Sequence, residues 1–237
     1  MNYDDLNDIF KRKFVITVED DGITAFSKRK SNITKNLKDV EFEFYDGVDG
    51  RKVDKKYYDE KGSRLTYGQL GCALSHLGIY KKMVDEDIDI ALVMEDDCVF
   101  NENVSNIKSY MDMLPNDWGL LYLGYLPNSL ISTPNYKKLF RIDNDVVEKG
   151  FGYVCGTHCL AITKDFAKIV YDFNKDCLFP ADGAFTEIIK RFNLPSYVVM
   201  PSMADQYPPP HIECTLGMVD REMIRTTGSH KIYMEKK

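Results

Sequence analysis

Long apolar runs are missing from this 237-residue chain. Stretches such as Ile90–Met94 and Gly119–Leu126 fall well short of the ~18 to 20 residues that a membrane-spanning helix requires. The opening residues, Met1-Asn2-Tyr3-Asp4-Asp5-Leu6, lack the basic start and apolar core of a secretory signal, which predicts a cytoplasmic protein. CxxC pairs are also missing. The six cysteines (Cys72, Cys98, Cys155, Cys159, Cys177, Cys214) lie in or beside apolar segments, so reduced thiols are expected. Positive charge is in deficit: 31 Lys+Arg against 37 Asp+Glu leave a net charge of -6, with no bulk basic field to hold nucleic acid. Internal repeats and low-complexity tracts are absent. What remains, at 44% hydrophobic and 29% charged, is enough apolar material for one large core.

Short apolar runs alternate with segments of helical period. Lys13–Val18 is a β-branched run that ends in Glu19-Asp20-Asp21-Gly22, a strand leading into a turn, and a helix is expected to follow through Leu37. Val40–Tyr45 alternates apolar and acidic residues as a half-exposed strand does, and Asp46-Gly47-Val48-Asp49-Gly50 stops it. The charged stretch Arg51–Arg64 is expected at the surface. Thr66-Tyr67-Gly68-Gln69 fits a capping box and opens a buried helix, in which Gly71, Ala73, Ser75 and Gly78 allow close approach of a backbone or a ligand. Asp89–Met94 has the continuous apolar character of a central parallel strand. Beyond it the pattern predicts a helix near Val104–Leu114 and a strand at Trp118–Gly124. An irregular stretch with one or two weak strands follows at Pro127–Lys149. Next come a strand at Tyr153–Thr163, helices at Phe166–Phe173 and Gly183–Phe192, and a strand at Tyr197–Met200. Alternation of this kind indicates a layered α/β domain. Residues 1–200 are expected to form it, and 201–237 to be a loop-rich tail that packs on or covers the site.

The most informative feature is the acidic triplet Glu95-Asp96-Asp97 at the end of the apolar strand. Two carboxylates ~4 Å apart at an effective dielectric of ~20 repel by roughly 4 kcal/mol, so convergence favours a cation, a proton or full solvation. Carboxylate oxygens match Mg²⁺ or Mn²⁺, and ligands of open α/β sheets gather outside the carboxyl ends of strands. The alternative reading of the triplet alone is a solvated acidic turn.

Five motifs in order extend the pattern. Gly68-Gln69-Leu70-Gly71-Cys72-Ala73-Leu74-Ser75-His76 comes first, then Ala91-Leu92-Val93-Met94-Glu95-Asp96-Asp97 and Asp117-Trp118-Gly119-Leu120-Leu121-Tyr122-Leu123-Gly124. Gly156-Thr157-His158 and Pro180-Ala181-Asp182 complete the set. Together they resemble glycosyltransferase family 25, which includes lipooligosaccharide and collagen galactosyltransferases, over about Phe14–Gln206. The resemblance implies an α/β fold of the GT-A-like, Rossmann-like kind, a mixed sheet flanked by helices in a single domain. It also implies a UDP-hexose donor, Mn²⁺ or Mg²⁺, and inversion at the anomeric carbon. The acceptor would be a glycan or a hydroxylated protein; were it lipid-linked, the enzyme would meet a membrane peripherally. After the first strand, where the family pattern leads one to expect an Arg-rich stretch, this chain has Glu19-Asp20-Asp21-Gly22-Ile23.

By the same match Asp97 binds the metal, while Glu95 or Asp96 contacts the donor ribose or a metal-bound water. Asp182 is the expected general base for the acceptor hydroxyl, with Asp205 in reserve; read without the resemblance, Asp182 is an N-cap. Ser75 and His76 are donor-site candidates, although a buried His76 is also explained as a hydrogen-bonded core residue. His158 could position sugar or phosphate through its ring N–H, and Gln206 resembles a family glutamine near the donor. His211, or else His230, could supply a further metal ligand. Trp118 and Tyr122 are read as core, and Gln69 as capping. A competing reading of another class is a catalytically inactive nucleotide-sugar or glycan-binding module. A phosphatase is disfavoured because Cys98-Val99-Phe100, and no Gly-Thr turn, follows the aspartates.

Overall fold

The computed structural model describes residues 3–19, 26–126, 138–142 and 154–206. Its strands are β1 (Lys13–Thr17), β2 (Glu43–Asp46), β3 (Ile90–Glu95), β4 (Cys98–Phe100), β5 (Leu120–Leu126), β6 (Lys138–Ile142), β7 (Cys155–Thr163), β8 (Ser196–Met200) and β9 (Ala204–Gln206). The helices are α1 (Asp4–Ile9), α2 (Phe26–Asn36), α3 (Lys55–Glu60), α4 (Tyr67–Asp85), α5 (Ile107–Met111), α6 (Lys164–Asn174) and α7 (Ala181–Phe192). Among the described residues the strands form one sheet in the order β2-β1-β3-β7-β5-β8-β6, with β9 joining β4 to β5. It is a mixed sheet. β1 runs parallel to β2 and β3, whereas β7 is antiparallel to both β3 and β5. The expectation of a parallel environment for β3 therefore holds on one side only, because an apolar run encodes burial on both faces and not the direction of its neighbours.

Period-two alternation sorts the strand residues into two cores. Ala91 and Val93 of β3, with Phe14, Leu120, Leu160 and Val198, face α4, α6 and α7. Leu92 and Met94, with Val15, Leu121, Cys159 and Val199, face α1, α2 and α5. Helices thus cover both faces of a single-domain sheet. No helix among the described residues is long and apolar enough to cross a membrane. Cys72, Cys98, Cys155, Cys159 and Cys177 are free thiols.

The small-residue stripe of α4 receives backbone. A Cβ on Gly71 would lie 2.6 Å from the Val48 carbonyl oxygen, and one on Gly50 only 1.8 Å from that of Tyr67. The turn after β2 is thereby clamped onto the first half of α4. Some elements escape the sequence pattern. The charged stretch after this turn carries α3, with much of its surface exposed, and α1 precedes β1. Within the 127–149 segment only β6 lies among the described residues. The proposed tail boundary also cuts off β9, which pairs with β4 through Cys98 and Gln206.

Candidate active site

The capping box forms as the sequence implies: the Thr66 hydroxyl accepts from the Gln69 N–H at 3.2 Å, and the Gln69 side chain accepts from the Thr66 N–H at 3.0 Å. With the helix start fixed, Cys72, His76 and Tyr80, four residues apart, line one stripe of α4 and meet the end of β3. Glu95 continues the alternation of Ala91 and Val93 and turns to that stripe. Its Oε1 accepts from the Thr157 hydroxyl at 2.5 Å, lies 3.2 Å from His76 Nε2 and accepts a weak bond from the Cys72 thiol at 3.9 Å. Burial pushes the Glu95 carboxyl up, but the His76 ring and the Thr157 hydroxyl outweigh it and hold it down at about 2.

Asp96 and Asp97 leave on the other side, toward α2. Arg29 Nη1 lies 3.1 Å from Asp96 Oδ1 and 3.5 Å from Asp97 Oδ2. From β9, the Gln206 amide donates to Asp97 Oδ2 at 3.4 Å. The second oxygen of Asp97, Oδ1, is buried with no hydrogen-bond partner among the described residues. Burial, and then the charge of Glu95, push the Asp97 carboxyl up to about 7. Asp96 is raised as well, by burial, with Arg29 opposing. One guanidinium therefore serves two buried carboxylates with a third next to them, and the deficit is concentrated on Asp97.

Asp182 lies across the site, at the second position of α7. The N-cap is Pro180, so Asp182 does not cap the helix in the sense expected. Its carboxylate instead accepts from the Gly183 N–H at 2.8 Å and from the Gly156 N–H at 3.2 Å, which ties α7 to the entrance of β7. Gly156 has φ +91, a backbone conformation that glycine adopts without strain. Burial raises the Asp182 carboxyl, the two N–H groups oppose this, and the charge of Glu95 adds to it. Asp182 and Glu95 thus sense each other across the same site.

Other candidates have different neighbours from those the sequence suggests. The Ser75 hydroxyl donates to the Gly71 carbonyl at 2.7 Å and accepts from the Val48 N–H at 2.8 Å, so it is committed to fastening the turn after β2. His158 is fully buried, and its Nε2 faces the Ala204 carbonyl at 3.3 Å, which consumes the ring N–H expected to reach a ligand. The nitrogen left over, Nδ1, has no partner among the described residues, and a Cβ on Gly156 would lie 3.2 Å from it. Burial lowers the His158 pKa, in keeping with a neutral ring. Asp205 is exposed and accepts from the Asn101 amide at 3.1 Å. His211 and His230 lie outside the described residues. Tyr122 is buried in the core on the α4 side of the sheet, and Trp118 packs, partly buried, against the core on the opposite face.

Sequence reasoning missed Arg29, which carries no spacing signal because 67 positions separate it from Asp96. Thr157 and Cys72 stood inside quoted motifs without a role, and the four-residue spacing from Cys72 to His76 could have pointed to a shared face.

A family model described as glycosyltransferase family 25 (LPS biosynthesis protein) matches residues 11–185. Human procollagen galactosyltransferase 2 is 29% identical over 115 residues, covering 40% of this chain and 18% of that protein. Mouse inactive glycosyltransferase 25 family member 3 is 29% identical over 119 residues, 41% of this chain and 20% of that protein. The matched region spans about a fifth of the length of these curated relatives. Among solved structures, a glycosyltransferase involved in glycosylation of the major capsid of PBCV-1 aligns over 91% of this chain and 99% of its own. The TM-score is 0.45 and the identity 10%, a likeness too distant to carry weight. The family match takes in β1 through the first turn of α7 and includes all three carboxylates of the triplet together with Asp182, and the chain belongs to glycosyltransferase family 25.

Proposed function

We propose that this protein is a divalent-metal-dependent, inverting glycosyltransferase that moves a hexose, galactose or glucose, from a UDP-sugar to a hydroxyl of a glycan or hydroxylated protein. The observation that carries this reading is Asp97 Oδ1, a buried carboxylate oxygen just past a strand end with no donor among the described residues to satisfy it. A hard dication fits that oxygen: it would cancel the repulsion that raises the Asp97 carboxyl, and Mn²⁺ or Mg²⁺ prefers such ligands.

Asp97 would hold the ion, with Gln206 orienting its other oxygen and Asp96 supplying nearby charge. When bound, a divalent ion supplies Lewis-acid neutralisation of the charge gathering on the departing diphosphate. Arg29, already between Asp96 and Asp97, is a protein cation close to where that charge would gather. Asp182 is the proposed base. Its raised carboxyl makes it a stronger proton acceptor than an ordinary aspartate, and the Gly156 and Gly183 N–H groups hold it in one orientation while the acceptor hydroxyl gives up its proton. Glu95, whose Oε1 is engaged with Thr157 and His76, is assigned to shaping the site and not to contact with the ribose.

The inactive mouse relative motivates a second reading, a binding module without turnover. Thermal unfolding against a panel of UDP-sugars, with and without Mn²⁺, followed by a donor-hydrolysis assay, separates the two. The enzyme reading expects UDP-hexoses to raise the melting temperature only with metal, and slow hydrolysis that Asp97→Asn abolishes. Metal-dependent binding with no turnover under any condition favours the module. Binding indifferent to metal overturns both.

A further inference from the structure

The stripe of α4 facing Glu95 brings together a thiol, an imidazole and a carboxylate. The ligand atoms of Cys72, His76 and Glu95 all lie within 4.8 Å of one another. A tetrahedral zinc ion with bonds of ~2.0 Å to nitrogen or oxygen and ~2.3 Å to sulfur places its donors roughly 3.3 to 3.6 Å apart. Here His76 Nε2 and Glu95 Oε1 are 3.2 Å apart, Cys72 Sγ and Glu95 Oε1 are 3.9 Å apart, and all three donors lie within 4.8 Å, so side-chain adjustments of ~1 Å bring them to that spacing. We infer that Cys72, His76 and Glu95 form a binding site for a thiophilic dication of the Zn²⁺ type, distinct from the Asp97 side of the triplet.

Three features support it. The first is charge: a dication with one thiolate, one carboxylate and a neutral imidazole sums to zero, the condition a buried centre needs. The second is the surrounding hydrogen bonding. His76 Nδ1 lies 3.2 Å from the Tyr80 hydroxyl, so with Nε2 on the ion, Nδ1 would carry the proton and donate to Tyr80, while the Thr157 hydroxyl already orients Glu95. The third is rigidity. Cys72 and His76 sit one turn apart on a helix whose start is capped, and Glu95 ends a central strand, so the ligands come from elements that hold their spacing. Binding releases the Cys72 proton to solvent and forms the metal–sulfur bond, with His76 ligating through Nε2 in the form that keeps a proton on Nδ1; no electron is transferred. The sulfur ligand separates this site chemically from the all-oxygen surroundings of Asp97 and favours Zn²⁺ over Mg²⁺ or Mn²⁺.

The test is a titration of the full chain with Co²⁺ under reducing conditions, read by absorbance. Tetrahedral coordination through sulfur predicts a thiolate-to-cobalt charge-transfer band in the near ultraviolet together with intense visible bands, both erased by Zn²⁺. Cys72→Ser should remove the charge-transfer band, while Asp97→Asn and Cys177→Ser should keep it. Alkylation mapping of the wild-type chain gives a second readout that needs no variant: bound Co²⁺ or Zn²⁺ should shield Cys72 selectively from iodoacetamide. No thiolate band, a band that survives Cys72→Ser, one lost with Asp97→Asn, or shielding of a different cysteine would each overturn the assignment. The site does not depend on sugar transfer, so donor hydrolysis can fail while the cobalt spectrum succeeds, and the reverse.

Discussion

Glu95, part-buried, and Asp97, buried, are two residues apart in the chain, yet their carboxyls are driven in opposite directions. Glu95 has Thr157, His76 and Cys72 around one oxygen and is held at about 2. Asp97 has an arginine at 3.5 Å, an amide at 3.4 Å and, among the described residues, no partner on Oδ1, and is pushed up to about 7. Burial is common to both and does not decide the charge; the number and closeness of donors does. On one side of β3 a carboxylate oxygen is thus already engaged by protein donors, and on the other a carboxylate is short of positive charge, as a centre for a hard cation should be.

The sharpest way to break this contrast is Asp97→Asn. It should lower metal-dependent donor hydrolysis by about 10² to 10³-fold, the usual cost of removing one electrostatic group from an active site. The same variant should melt higher than the wild type when both are metal-free above about pH 7, because the buried charge is gone. An active Asp97→Asn enzyme would end the assignment. Next in size is Thr157→Val, which strips Glu95 of its shortest donor. Urea unfolding at neutral pH should show a loss of about 1.5 to 3 kcal/mol, typical of a hydrogen bond to a charged group. A loss near zero would mean that the Glu95 network is not what holds its charge.

The pH dependence tests both halves together. The Asp97 carboxyl is raised in the fold, so the metal-free protein loses stability from this group as pH climbs from 3.8 through about 7. Mn²⁺ affinity should rise over the same window, as the ion no longer displaces a proton, and level off above it; calorimetric titrations across pH read this directly. The Glu95 carboxyl is depressed, so its contribution is present above 4.5 and is lost as pH falls toward about 2. The smallest expected effect is Arg29→Met. Removing a fixed cation beside Asp96 and Asp97 should tighten Mn²⁺ binding by about 5 to 10-fold above about pH 7, roughly 1 kcal/mol. Weaker binding would assign Arg29 to holding the carboxylates in place.

The sequence makes much of this legible where the signal is local. The capping box, the apolar run of β3, the small-residue stripe of α4 and the acidic triplet are all contiguous, and all appear where their patterns put them. Even the split of the triplet follows from alternation along β3: Glu95 extends Ala91 and Val93, and the next residue turns away. Arg29 and Gln206 were harder. The arginine arrives through the packing of α2 against the sheet, and the glutamine through a strand of three residues, too short to leave a periodic trace. His158 shows a different limit: its motif was visible, but only its environment reveals that the Ala204 carbonyl takes the ring N–H.

The fit of Gly50 against Tyr67, where not even a methyl group could be added, has a mechanical consequence. A bulkier residue at 50 would lever the front of α4 off its seat, carrying Cys72 and His76 with it and swinging the aim of Glu95. A peripheral turn that touches no reactant therefore acts as the jig against which the metal-facing end of β3 is trued.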